Sequence, residues 1–194
     1  MKAVFASRNR HKVKQVKILL EKVEIIPLDE LAPDLELEEP FETFEANALA
    51  KAWAATQATG LPAIADDSGL QVDALDGDPG VRSARYAGED ATDEANNAKL
   101  VTLLEGVPED ERTCRYVCAV VCVWPAGTEV AASGSCAGRV ILEGRGTLGF
   151  GYDPHVIPDG DKRTMAEIPL QEKLTFSHRG RAFRALAQKL DAHA

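Results

Sequence analysis

Two aspartates, Asp66 and Asp67, stand side by side at the end of the apolar run Pro62–Ala65, and no other feature restricts the chain as much. Adjacent carboxylates at the end of a buried strand are costly unless a cation or hydrogen-bond donors satisfy them. A fold that keeps both must bring a cation or donors to that strand. Ser68 and Gly69 follow, a pattern that also suits an Asx-type turn with Gly69 at positive φ. If neighbouring strand residues point to opposite faces, the two carboxylates do different jobs. One could ligate metal or activate water while the other braces the turn. Magnesium suits such a place, because it takes oxygen ligands, commonly one or two carboxylates completed by phosphates and waters.

The 194 residues, 45% hydrophobic and 27% charged, are expected to form a single domain spanning 1–194. A formal net charge of −9 argues against a sequence-indifferent binder of DNA or RNA, which needs a basic footprint. Basic residues therefore matter by position rather than by number. Cys114, Cys118 and Cys122 fall four apart in a segment that reads as strand, so they share one face. With Cys136 they read as buried reduced thiols rather than as the close pairs on turns that hold zinc. The segment MKAVFASRNRHK has no apolar stretch of the kind a signal peptide carries. No apolar run approaches the ~20 residues that span a bilayer. The expected compartment is the cytoplasm, without membrane attachment.

Along the chain, Lys2–Ala6 reads as a strand that stops at Ser7-Arg8-Asn9. Val13, Val16, Leu19, Leu20 and Val23 then recur at helical spacing, with Asn9 a plausible N-cap. Glu24–Ile26 reads as a second strand, and Leu28–Pro40 as an acidic, proline-punctuated connection. A second helix is expected from Thr43 to Gly60. Pro62–Ala65 reads as one short strand, and Leu70, Val72 and Ala74 as another after the acidic turn. A turn-rich segment leads to a helix from about Asp93 to Glu105. Thr113–Val123 and Glu129–Val140 read as a long hairpin, Gly144–Gly151 as a glycine-rich loop, and the chain after Ser177 as an amphipathic helix. This order predicts an α/β fold: a mixed central sheet with a long β-hairpin and flanking helices, in two lobes around a cleft.

Several polar groups fit anion binding. The turn Ser7-Arg8-Asn9-Arg10-His11-Lys12 stands where a strand hands over to a helix, where backbone N–H groups and the helix dipole favour an anion. It is not a Walker A loop, for it has no flanking glycines, and a solvated helix start explains it equally well. Glu36, Glu38, Glu39, Glu42 and Glu45 form an acidic stretch, mostly a solvated face, from which one residue could reach a metal. Lys51 shares a helical face with Asn47 and could point inward, although a surface lysine is the plainer reading. Phe150 and Tyr152, set between glycines ahead of Asp153-Pro154, suit stacking on a base or plugging of a loop. Lys173, Ser177, His178 and Arg179 cluster before the final helix. His178 and Arg179 offer donors suited to a purine carbonyl.

Together these segments resemble the inosine triphosphate pyrophosphatase family, the Ham1-like pyrophosphatases of non-canonical purine nucleotides. The resemblance runs essentially end to end. It is carried by ASRNRHK, TFEANALAKA, AIADDSGLQVDALDGDPGVRSARYAGEDATD, GFGYDP, KRTMAE and KLTFSHRGRA. It implies hydrolysis of inosine, deoxyinosine and xanthosine triphosphates to the monophosphate and pyrophosphate, with Mg²⁺ required and a homodimer as the usual assembly. It implies that Ser7, Arg8, Asn9, Arg10, His11, Lys12 and Lys51 bind phosphates, and that Ser68 touches substrate. Asp67 would be the catalytic acid/base residue and a metal contact, with Glu39 the upstream metal ligand and Glu38 its near neighbour. Phe150, Gly151, Tyr152, Asp153, Lys173, His178 and Arg179 would form the nucleoside pocket. Two departures stand out. Ala46 replaces a glutamate that relatives often carry before Asn-Ala, and His155 follows the Tyr-Asp-Pro turn where an aromatic or aliphatic residue is usual. The rival readings are a pyrophosphatase of another class, such as a Maf-type enzyme acting on pyrimidine or modified nucleotides, and a non-catalytic nucleotide-binding module.

Overall fold

In a computed structural model describing residues 1–192, the chain opens with strand β1 (Lys2–Phe5), helix α1 (Arg10–Leu19) and strand β2 (Glu24–Pro27). Helix α2 (Phe44–Thr59) and strand β3 (Ala63–Val72) follow. β1 pairs in parallel with both β2 and β3, Val4 lying opposite Ile26 on one side and Ala63 on the other. Parallel neighbours need crossovers, and α1 and α2 supply them. The caps are local. Asn9 Oδ1 accepts from the His11 and Lys12 amides at 2.9 and 3.2 Å, closing the start of α1. Thr43 caps α2, and Gly60, at φ 67°, ends it in the left-handed conformation.

After α3 (Asp93–Leu104) the hairpin strands are β4 (Thr113–Val123) and β5 (Glu129–Val140). The short strand β6 (Val156–Pro158) pairs antiparallel with β5, and helices α4 (Leu170–Phe176) and α5 (His178–Asp191) complete the described chain. The strands are hydrogen-bonded in the order β2-β1-β3-β4-β5-β6, a mixed sheet with flanking helices as expected. No described helix is long and apolar enough to cross a membrane.

Three details depart from the sequence reading. The acidic motif interrupts nothing, for Asp66, Asp67, Ser68 and Gly69 lie in mid-strand within a continuous β3, while Ala74 belongs to a 3-10 turn. Charged side chains can occupy a central strand here because cations from other elements meet them. The strand β6 is too short to show a period. Helix α4 spans only seven residues and abuts α5, so periodicity alone merges the two.

The fold divides into two compact units, with β3, β4 and β5 each contributing to both. The first contains 1–67, 118–134 and the chain from Arg179 on; the second contains 68–117 and 135–178. In the first unit, Phe5, Val16, Ile64, Cys118, Val120, Phe183 and Leu186 form one core. Val4, Ala48, Ala52, Ala55, Ala63, Ala65 and Val121 form another against α2. The second unit packs Leu70, Leu100, Leu104, Tyr116, Cys136, Tyr152 and Met165 together. All four cysteines are reduced and buried, as expected, and burial pushes the thiols of Cys114, Cys118 and Cys122 up to about 12.

Phe183 is fully buried and meets Phe5 edge-on, with ring centroids 6.2 Å apart. Phe183→Ala should therefore lower stability by about 3–5 kcal/mol, measured by denaturant unfolding, through lost transfer energy and the cavity left behind.

Candidate active site

Alternation along β3 separates the two aspartates. Ala63 and Ala65 pack with the alanines of α2, while Ile64 packs with Val16 of α1 and with Phe183 and Leu186 of α5. Carried forward two residues, the same period turns Asp67 toward α2 and Asp66 toward α1 and α5. The contacts agree. Asp67 Oδ2 accepts from Asn47 Nδ2 at 3.1 Å, and Asp67 Oδ1 lies 3.7 Å from Lys51 Nζ, both partners being on α2. Asp66 Oδ2 lies 3.2 Å from Lys12 Nζ on α1 and accepts from Arg179 Nε and Nη2, on α5, at 3.3 and 3.2 Å.

Asp66 is the structural member of the pair. It has no exposed surface, the Cys118 thiol points to it at 3.8 Å, and Gln15 takes the remaining arm of Arg179 at 3.1 Å. Burial alone would raise its pKa. The Lys12, Arg179 and Lys51 charges overcome that and hold the carboxyl well below the usual aspartate range. Its second oxygen, Oδ1, is buried without a hydrogen-bond partner among the described residues.

Asp67 has the opposite balance. Burial raises its pKa and the Glu39 carboxylate adds to the rise, while Lys51, Lys12 and the Asn47 amide only partly offset them. Lys51 is buried, and its ammonium also forms an ion pair with Glu39. Burial works to lower the Lys51 pKa, but Asp67, Glu39 and Asp66 outweigh it and the pKa is raised. Asn47 fastens this arrangement: its Oδ1 accepts from the Phe41 amide at 2.9 Å and its Nδ2 donates to the Phe41 carbonyl at 3.0 Å. The segment bearing Glu39 is thereby tied to α2. Glu38, its neighbour, is exposed.

This donor set fits a magnesium ion. Glu39 and Asp67 bring hard oxygens to one cation position, with room in the coordination sphere for phosphates and water. Among the described residues no group of three or more His, Cys, Asp or Glu side chains forms a closed metal cage. Two carboxylates completed by substrate is the pattern magnesium commonly adopts in phosphate chemistry.

The Ser7–Lys12 turn is put to several uses. Lys12 reaches Asp66, and Asn9 caps α1. Arg8 donates to Asp29 at 3.0 Å and to the carbonyls of Pro33 and Leu35 at 2.6 and 2.7 Å, bracing the acidic connection. Ser7 Oγ accepts from the Asn9 amide at 3.2 Å, and Arg10 and His11 are exposed.

In the second unit the hub is Asp153. Its Oδ2 meets Lys173 Nζ at 2.8 Å and its Oδ1 accepts from the Tyr116 hydroxyl at 3.2 Å. Tyr116 stacks on His178 with centroids 4.7 Å apart and planes 15° from parallel. Gly149, at φ 87°, passes so close to Asp153 that a Cβ there would strike the carboxylate. Gly151 N donates to Asp93 at 2.6 Å, Gly151 O accepts from Asn97 at 2.9 Å, and the Tyr152 hydroxyl donates to the Ser83 carbonyl at 2.8 Å. Phe150 is half-buried at the head of this loop, and Ser68 is half-buried on β3.

Sequence reasoning missed Gln15 and Tyr116, and it gave Asn47 and Cys118 no part in the site. Gln15 could have been found, since it follows Lys12 by three and shares its helical face. Tyr116 lies between Cys114 and Cys118 in the same inward register of β4, which hid it among the core residues.

Comparison with known proteins gives one answer. Residues 3–189 match the model of the Ham1 family. The dITP/XTP pyrophosphatase of Geobacter sulfurreducens is 48% identical over 189 residues, covering 96% of this chain and 95% of that protein. The dITP/XTP pyrophosphatase of Desulforamulus reducens is 46% identical over 193 residues, covering 98% and 96%. The Staphylococcus aureus Ham1 protein superposes with a TM-score of 0.90 at 37% identity over the whole of both chains.

Asp66→Asn leaves Lys12 and Arg179 without their shared counter-ion and should cost about 3–5 kcal/mol at pH 7. The depressed Asp66 pKa stabilises the fold above the unfolded value of 3.8, and that stability is lost as pH falls through the folded pKa. Unfolding measured from pH 7 down to 3 should therefore show the wild-type advantage over Asp66→Asn shrinking below about pH 4.

Proposed function

Because the chain belongs to the Ham1 family, we propose that it hydrolyses non-canonical purine nucleoside triphosphates, those of inosine, deoxyinosine and xanthosine, to the monophosphate and pyrophosphate. The observation that carries this reading is the split of the acidic pair, one carboxylate locked as a structural anion and the other left with a raised pKa beside Glu39 and Lys51. A carboxylate whose proton affinity is raised is better suited to take a proton from water than one held anionic by two cations.

In this mechanism Asp67 orients a water and accepts its proton as the water oxygen attacks the α-phosphorus. The bond from that phosphorus to the bridging oxygen breaks, and pyrophosphate leaves. Asn47 holds Asp67 by Oδ2, and Oδ1 faces Lys51. Lys51 and Lys12, with the amide-rich turn from Ser7, supply positive charge and donors to the phosphate oxygens. Mg²⁺ on Glu39 and Asp67 would supply Lewis acidity and neutralise phosphate charge. Lys173 and His178 take the polar edge of the base and Phe150 its face, with Ser68, Gly151, Tyr152 and Asp153 shaping the site, while Arg179 acts through the Asp66 cluster that holds its guanidinium. Donors aimed at a 6-keto oxygen leave adenine, with its amino group there, unpaired, and unpaired buried polar groups are costly. Residues 1–194 act as one catalytic domain, working as a homodimer in the cytoplasm.

Pyrophosphate release across a nucleotide panel, with and without Mg²⁺, tests the reading. The triphosphates of inosine, deoxyinosine and xanthosine should be cleaved far faster than ATP, and only with Mg²⁺. Preference for a pyrimidine nucleotide would favour the Maf-type alternative, and no release from any nucleotide would leave a binding module. Asp67→Asn should cut kcat by at least about two orders of magnitude with unchanged circular dichroism. Near-normal turnover would remove Asp67 from its role.

A further inference from the structure

Lys51 holds a position that a metal should want. It belongs to α2, its side chain is 6% exposed, and its ammonium pairs with Glu39 while standing 3.7 Å from Asp67 Oδ1. The two carboxylates come from separate stretches of chain, the acidic connection and β3, and Asn47 ties both to α2 through Phe41 and Asp67. Their spacing is therefore imposed by the fold. A cation removed from such a pair leaves two poorly solvated negative charges close together, an arrangement that is strongly unfavourable. Magnesium and an ammonium cannot share the position, since both need the same oxygens and repel each other at that range.

We propose that Lys51 is the built-in counter-ion of the Glu39–Asp67 pair, and that a divalent ion can take the pair only when an arriving polyphosphate draws the ammonium away. Lys51 then has a positioning role before any chemistry. It neutralises the two carboxylates, whose spacing the scaffold sets, while holding free metal off. Triphosphate offers the ammonium a new anion as it delivers the metal, so metal and triphosphate bind with strong positive coupling. A divalent ion arriving alone must displace a buried lysine that has nowhere favourable to go. The inference rests on the metal site of the proposed function, but it concerns affinity rather than turnover and can fail separately.

The test is Mn²⁺ binding to the nucleotide-free protein, read from the paramagnetic resonance signal of unbound Mn²⁺, with Mg²⁺ calorimetry alongside. Wild type should bind weakly. Lys51→Met should bind at least about ten-fold more tightly, since a repelling charge is gone and two carboxylates lack a partner. Lys51→Gln, neutral but still able to donate to Glu39, is the second variant should the methionine protein not fold, and should also bind more tightly than wild type. Inorganic triphosphate should tighten Mn²⁺ binding to wild type much more than to either variant. Melting temperature should rise with Mg²⁺ more in the variants than in wild type. Equal or weaker Mn²⁺ affinity in the variants would overturn the inference, as would undetectable Mn²⁺ binding by every form. Pyrophosphate release by wild type separates the two failures: if it persists with Mg²⁺, the proposed activity stands and only the role of Lys51 falls.

Discussion

A carboxylate with no exposed surface is the constraint around which the first unit is arranged. Asp66 can stay charged in mid-strand only because α1 brings Lys12 and α5 brings Arg179 to the same oxygen. An early helix and the final helix of the described chain are thereby joined electrostatically to β3. Gln15 and Cys118 fill the remaining space around the guanidinium and the carboxylate. Nearby, Ile64, Phe5 and Phe183 supply apolar packing, so burial of area and neutralisation of charge hold the same elements together. Removing a member leaves an uncompensated buried charge, which costs more than the intact cluster contributes.

The second consequence of that strand is functional. A period of two carries Asp67 to the opposite face, where burial, Glu39 and Lys51 set a different balance of charge. Two identical side chains on consecutive residues acquire opposite pKa shifts because they face different helices. Such divergence between neighbouring titratable groups marks sites of acid–base chemistry. The base-binding residues proposed in the second unit are ordered by the same means. Asp153 neutralises Lys173 and accepts from Tyr116, which in turn supports the ring of His178.

Much of the scaffold was legible from pattern alone. Asn9 and Thr43 announce helix starts, Gly60 announces a helix end, and Thr113–Val123 and Glu129–Val140 read as the hairpin strands that the structure shows. The motif at Asp66 misled in one respect. Two charges followed by Ser-Gly read locally as a turn, yet β3 runs through them without a break, since Lys12, Arg179, Asn47 and Lys51 all lie far off in sequence. Residues chosen for phosphate binding were also not equivalent. Arg8 and Lys12 look alike in sequence, but one braces the acidic connection and the other reaches the buried aspartate.

Local rules were enough to specify most of the elements and the buried state of the cysteines, because capping and periodicity act within a few residues. Which aspartate is locked and which is left titratable, which glutamate of five turns inward, and which cation each carboxylate meets were set by packing. Those outcomes depend on charges brought together across Lys12–Asp66, Glu39–Lys51 and Asp66–Arg179, separations of chain that no local pattern encodes. Electrostatic energy falls with distance in space and is indifferent to distance along the chain, so the charge pairings that distinguish the two aspartates exist only in the folded molecule.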